Sequence, residues 1–388
     1  MSFIAITAMI LLLTQIVSQL CRRVQIPEVI GQIIVGIILG PSVLNIVKLG
    51  PLMNSAQELG VIILMFIAGL ESDIGLLKRY MKPAIVVAVC GVILPVTLMG
   101  GASLFFGFNH FEALFTGVIF SATSVSISVA VLREYHQLNS KEGATILGAA
   151  VADDIIGVIL LSIMISMMSG MHIGHSTQHQ PLGLIIIEQL AFFGGAYLLV
   201  RWLAPYLMHT SEKMLTMAST SVMAMIICLS MAALADAVGL SGAIGAFFAG
   251  IAVANTNVKE VVDRSFTPIG YALFIPLFFV SVGLNMRLDH FMSSLVFLIV
   301  MTFLACLTKL VGCGFGAKLC GFSWHSANVI GSGMVARGEM ALITAQIGFN
   351  AHLMSNKYYS DIITVIILAT VIAPFMLRGT LNKKPARD

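Results

Sequence analysis

Charge is what this sequence has least of: only 10% of its 388 residues are Asp, Glu, Lys or Arg, where soluble domains carry about 25%. A surface so poor in charge excludes a freely soluble protein. No disulfide framework is in evidence either, because Cys21, Cys90, Cys228, Cys306, Cys313 and Cys320 all lie in or beside apolar runs. Cys306, Cys313 and Cys320 recur every seven residues and read as small packing residues on one helix face. The first twenty residues carry no positive charge, so the opening apolar run reads as a spanning helix and not as a cleaved leader. No GxGD or HExxH motif points to an intramembrane protease. The net charge of +3 carries no nucleic-acid signal, because the positive residues flank apolar runs.

What is abundant is hydrocarbon. The chain is 58% hydrophobic, with a mean hydropathy of +0.99. Its solvent is therefore lipid, which only helices or closed barrels can cross. Long apolar runs such as 292–313 choose helices, since barrel strands alternate over about ten residues. Thirteen apolar segments are expected, at 3–20, 28–46, 58–75, 83–106, 112–132, 143–169, 182–205, 215–236, 240–255, 268–286, 291–317, 325–348 and 360–377. Sixteen of the 21 Lys and Arg residues fall in or at the edge of odd-numbered connections, or after the last segment. Only Lys48, Arg287 and Lys357 fall in even-numbered connections. Positive charge stays in the cytoplasm, so the N-terminus is expected outside and the C-terminus inside. The basic tail 378–388 is expected to close the chain, with no soluble regulatory domain.

An internal repeat is also legible. Ile30-Gly31 and Gly36-Ile37 recur as Ile244-Gly245 and Gly250-Ile251, an offset of 214. The same offset carries Gly69 onto Gly283, Gly100 onto Gly314 and Ala122 onto Ala336. Segments 1–6 thus repeat as segments 8–13, with segment 7 as connector. A shift of seven helices is odd, so the halves are expected to be inverted, with a substrate site at the midplane between them.

Most ionisable residues lie at segment ends, where their heads reach water. Asp153 and Asp154 in segment 6, Lys309 in segment 11, and Arg337 and Glu339 in segment 12 do not. A charge at the bilayer centre costs about 2.5–3.5 kcal/mol on insertion scales. One reading is a structural Asp–Lys ion pair that holds helices together. A single lysine cannot neutralise two adjacent carboxylates, and successive helical residues point about 100° apart. The second carboxylate is then left facing something else, such as a cavity with water or a cation. A carboxylate that takes either H⁺ or a hard cation is the simplest exchange device, and oxygen ligands suit Na⁺. Segment 5 carries five hydroxyls in Ser121–Ser128, among them Thr123 and Ser124, and segment 12 carries Gly331-Ser332-Gly333 before Arg337-Gly338-Glu339. The repeat superposes these stretches, as expected of two broken helices whose half-helix ends buried charges can compensate. Helix–helix hydrogen bonding is the alternative for the hydroxyls. His172, His175 and His179 read as a solvated loop, and the methionines as apolar filler.

These residues resemble the cation:proton antiporter superfamily, nearest its bacterial NapA-type and germination-type (GerN-like) sodium/proton branch. Ala152-Asp153-Asp154, Thr123-Ser124 and Lys309 carry the resemblance, which extends to Ile26-Pro27-Glu28-Val29-Ile30-Gly31 and Arg337-Gly338-Glu339. It implies an all-α fold of 13 transmembrane helices whose segments 5 and 12 cross as discontinuous helices. Residues 83–169 and 291–377 would form an ion-transporting core that moves like an elevator. Residues 1–75 and 215–286 would form a dimerising panel, with 182–205 connecting. Asp154 would carry the ion and proton, and Asp153 would pair with Lys309, itself a possible proton carrier. Thr123 and Ser124 would help ligate Na⁺, with Glu339 and Arg337 structural and electrostatic. The expected activity is exchange of cytoplasmic Na⁺ or Li⁺ for external H⁺, electrogenic for an Asp-Asp pair, in a homodimer of the bacterial inner membrane. No cofactor, enzyme activity or nucleic-acid partner is expected. Exchange of K⁺ for H⁺, a sodium-coupled organic-anion symporter, a channel and a receptor are the alternatives.

Overall fold

The computed structural model describes residues 3–23, 27–48, 50–171, 182–285, 294–350, 354 and 356–382. Among the described residues all regular structure is helical. The helices are α1 (Phe3–Arg23), α2 (Glu28–Leu39), α3 (Pro51–Glu71), α4 (Ile74–Phe105), α5 (His110–Ile119) and α6 (Val125–Glu134). They continue as α7 (Lys141–Met171), α8 (Leu182–Leu198), α9 (Ala204–Glu212), α10 (Ser219–Ala237), α11 (Gly242–Ala254) and α12 (Lys259–Ile269). The last five are α13 (Ile275–Leu284), α14 (Leu295–Leu319), α15 (Trp324–Gly333), α16 (Gly338–Asn350) and α17 (Asn356–Leu381). One π-helical turn, Leu199–Leu203, joins α8 to α9, and another, Gly270–Phe274, joins α12 to α13. Among the described residues, nine continuous helices are long and apolar enough to cross a membrane, and α2, α5 and α11 are shorter apolar helices.

Several helices reach beyond their apolar runs because polar residues start them. The run at 58–75 is preceded by Asn54, Ser55 and Gln57, yet α3 begins at Pro51, whose missing N–H suits a first helical position. The run at 83–106 starts nine residues late. Asp73 accepts from Gly75 N (2.7 Å) and Leu76 N (3.2 Å), so α4 opens at Ile74 and carries Lys78, Arg79 and Lys82 inside it. The run at 182–205 continues through a π turn to Glu212, and the run at 268–286 starts earlier, at Lys259.

Two apolar runs break in the middle. Residues 120–124 separate α5 from α6, and residues 334–337 separate α15 from α16. The two breaks touch. Ser124 N donates to Ala336 O (2.8 Å), and Ser128 Oγ donates to Gly333 O. Both are carried by apolar helices that leave no water to do the same work.

The helices pack mainly in two sets. In one, α4 packs on α7 and α14, with α15 and α17 against α14. In the other, α3 packs on α11 and α13, and α2 on α13. Glycines set the second set's spacing. A Cβ at Gly36 would collide with the Val280 carbonyl, and one at Gly250 with the Phe66 carbonyl.

The end of α6 reaches from the first set to the second. Arg133 grips Glu71, the last residue of α3, through Nη2–Oε1 (2.8 Å) and Nε–Oε2 (2.7 Å), with its guanidinium 4.6 Å from the centroid of the Tyr271 ring. Its neighbour Glu134 accepts the N–H of Glu28, the first residue of α2 (3.2 Å). The signs suit the ends they touch: positive on a helix C-terminus, negative on an N-terminus.

Gly250→Val forces a side chain into the α3 backbone, and overpacking of this kind costs about 1–3 kcal/mol. It should lower the melting temperature of purified protein by several degrees. Gly101→Ala, which meets nothing within 4 Å, should leave it unchanged.

Candidate functional site

Asp153 and Asp154 sit midway along α7, and Lys309 sits within α14, which packs on α4 beside it. The side chains of Lys309 and Asp153 are wholly buried, and Lys309 Nζ donates to Asp153 Oδ2 at 2.5 Å. The same oxygen accepts from Thr123 Oγ1 at 2.7 Å. The other oxygen, Oδ1, is buried with no hydrogen-bond partner. One carboxylate oxygen thus takes both a charge-assisted bond and a hydroxyl from the first break.

Asp154 points elsewhere, as one helical residue further must. It lines a narrow cavity of about 10 Å³, close to the smallest volume that holds one water. Thr123, Val125, Leu147 and Met340 line it from one set of helices, and Met65, Ser241, Ala243, Ile244 and Phe247 from the other. Thr123 therefore stands between the two carboxylates: its proton is given to Asp153, and it also lines the cavity of Asp154. The sequence placed Thr123 with the ion but not with Asp153, because nothing in a linear spacing says where a hydroxyl proton goes.

Ser124 lies next to Thr123 in the break, buried, with its Oγ 2.9 Å from Ser126 Oγ. Arg337 is wholly buried. Its guanidinium donates through Nη1 to Phe120 O and to Ala122 O (3.2 Å), and through Nη2 to Ala305 O (2.6 Å). It ties the loosened end of α5 to α14 one turn before Lys309. Glu339 is the second residue of α16, but its side chain lies outside the described residues, as do His172, His175, His179 and residues 383–388. Sequence reasoning missed Ser241, a serine that opens α11 and accepts from Ala243 N (3.2 Å). It also passed over Thr370 in α17. A hydroxyl where the offset of 214 has an isoleucine, Ile156, was the available signal.

A second, wider cavity of about 650 Å³ is lined by Arg22, Glu28, Glu71, Arg133, Glu134 and Lys259, among others. It surrounds the charged end of α6 and shares no residue with the small cavity at Asp154.

The family described as "Sodium/hydrogen exchanger, transmembrane" matches residues 7–383. The chain is 48% identical over 383 residues to the Na(+)/H(+) antiporter of Enterococcus hirae, covering 99% of each sequence. It is 40% identical over 387 residues to the Na(+)/H(+)-K(+) antiporter GerN of Bacillus cereus, covering 97% of this chain and 96% of that one. Among solved structures, it is similar to the sodium proton antiporter MjNhaP1 from Methanocaldococcus jannaschii. The TM-score is 0.69 at 17% identity over all of both chains, a likeness of fold.

Removing one member of the Asp153–Lys309 pair strands a buried charge, at about 3–5 kcal/mol. Lys309→Ala and Asp153→Ala should each lower thermal stability clearly. The double variant should lose less than the sum of the two, because the charges disappear together. Melting of the four proteins checks this, and strictly additive losses would mean that the pair contributes nothing as a pair.

Proposed function

This chain belongs to the sodium/hydrogen exchanger family, and from that premise we propose that it exchanges cytoplasmic Na⁺ (or Li⁺) for external H⁺ at Asp154. The observation that carries the reading is this small cavity, which has room for one small occupant and carries an ionisable carboxylate and a threonine on its wall. Asp153 is already compensated by Lys309, so Asp154 supplies the negative charge a cation needs. Ionised, it binds Na⁺ with help from the Thr123 and Ser124 oxygens. Protonated, it has no charge left to hold the ion. Binding of one excludes the other, which is the elementary act of antiport. Lys309 is a candidate second proton carrier, since parting from Asp153 frees it to lose its proton. That would make exchange electrogenic. Arg337 and Glu339 serve the crossing helices structurally and electrostatically.

The remaining architecture is proposed on the same footing: thirteen segments, an inverted repeat, a mobile core and a dimerising panel. The packing supports the repeat. Gly36 abuts Val280 as Gly250 abuts Phe66, and Gly117 abuts Val96 as Gly331 abuts Leu310, every partner shifted by 214. Gly107 and Gly321, also 214 apart, are both left-handed. The two packing sets support a core (83–169 and 291–377) that slides against a panel (1–75 and 215–286), with Asp154 at their boundary. Segment 182–205 would connect the halves. The N-terminus outside and the C-terminus in the cytoplasm follow from the distribution of Lys and Arg. A second reading is K⁺ exchange beside Na⁺, favoured by the name of the GerN relative, Na(+)/H(+)-K(+) antiporter.

In liposomes carrying an imposed pH gradient, added Na⁺ should dissipate the gradient through the wild type, and Asp154→Asn should abolish this at unchanged protein level. Substantial residual exchange in that variant would move the carrier role elsewhere. Because protons and Na⁺ compete, the half-saturating Na⁺ concentration should rise as pH falls. Running Na⁺, Li⁺ and K⁺ in parallel decides the second reading.

A further inference from the structure

The repeat makes one hydrogen bond conspicuous by its replacement. In the first half, Ser124 N donates to Ala336 O. Shifted by 214, the counterpart would run from Gly338 N to Ala122 O. Instead Ala122 O accepts from the Arg337 guanidinium, and Gly338 N donates to Thr370 Oγ1 (3.0 Å) on α17. Thr370 is wholly buried and gives its own proton to Ile366 O at 2.7 Å. Its hydroxyl is thus fixed on both sides, and it caps the first N–H of the half-helix α16 from another helix.

What α16 holds at that point is Ser124. Gly338 has φ +46°, a left-handed backbone that favours glycine. A Cβ there would lie 2.5 Å from Ser124 Oγ and 2.6 Å from Ser124 Cβ. Ser124 therefore rests on the bare Cα of Gly338 while its amide is held by Ala336 O. Any movement of the start of α16 moves the surface on which the serine sits. The offset counterpart of Thr370, Ile156, lies two residues after Asp154, so the halves differ at a position beside the site in one and beside the crossover in the other.

We infer that Thr370 is a positioning residue for cation exchange, whose hydroxyl fixes the start of α16 and through Gly338 sets where Ser124 meets the ion. This rests on the reading of Ser124 as a cation ligand. The experiment compares Thr370→Val, Thr370→Ser and Ser124→Ala in proteoliposomes, reading half-saturating Na⁺, maximal rate and melting temperature. Thr370→Val keeps the shape and deletes the bond, and should raise half-saturating Na⁺ roughly three- to tenfold, about what one net buried hydrogen bond is worth. Thr370→Ser, which restores the hydroxyl, should return it to within about twofold of wild type. Thr370→Ala replaces the valine variant should that one fail to accumulate. A loss of rate or stability with unchanged half-saturation would reduce Thr370 to a packing role and overturn the inference. Should Ser124→Ala shift the half-saturation while Thr370→Val does not, only the inference falls. Should Ser124→Ala leave it unchanged, the ligand reading falls and the route through Ser124 with it.

Discussion

A backbone interrupted inside an apolar bundle must find its hydrogen bonds within the protein, because no water is at hand and each unmet group costs several kcal/mol. The two broken helices meet that constraint on each other. Ser124 N reaches Ala336 O, Ser128 reaches Gly333 O, and Arg337 spends its guanidinium on the carbonyls of Phe120 and Ala122. The crossover therefore has a fixed shape before any ion arrives. Thr123, Ser124 and the start of α16 owe their places to it, and Asp153 receives one of its two donors from it.

The second dependence is electrostatic. A buried lysine needs a compensating partner, and Asp153 supplies one that is itself wholly buried. The adjacent Asp154 is turned by a helical step toward a cavity walled by both sets of helices. On the proposed reading the two consecutive aspartates divide the labour because an α-helix points them apart. On the same reading, a shift of one packing set against the other would change the walls of the cavity they share and so link occupancy to movement.

Much of this was legible in the sequence, and the exceptions have physical causes. Charges inside apolar runs have few places to go, so the Asp153, Asp154 and Lys309 constellation stood out, as did the hydroxyl-rich and glycine-rich stretches where the helices break. Helix starts were less visible. Asp73 opens α4 nine residues before its apolar run, since a cap acts through local geometry and needs no hydropathy. The π turns at Leu199–Leu203 and Gly270–Phe274 left no mark in composition. Arg337 was expected to compensate a helix end; which carbonyls its guanidinium binds, one of them on α14, is a choice that only the fold makes. Thr370 looked like one more residue in an apolar helix, because its importance lies in a bond across 32 residues that the other half makes differently.

The tip of α6 engages two other helices through Arg133 and Glu134, and its opposite tip begins beside Ser124. Ten residues separate them, about 15 Å of α-helix. That length is held by backbone bonds along the axis and not by side-chain packing, so α6 is a strut without a joint. The charged end and the hydroxyl end share one mechanical coordinate. A displacement of α6 along its axis would therefore move the grip on Glu71 and the start of the helix beside Ser124 together.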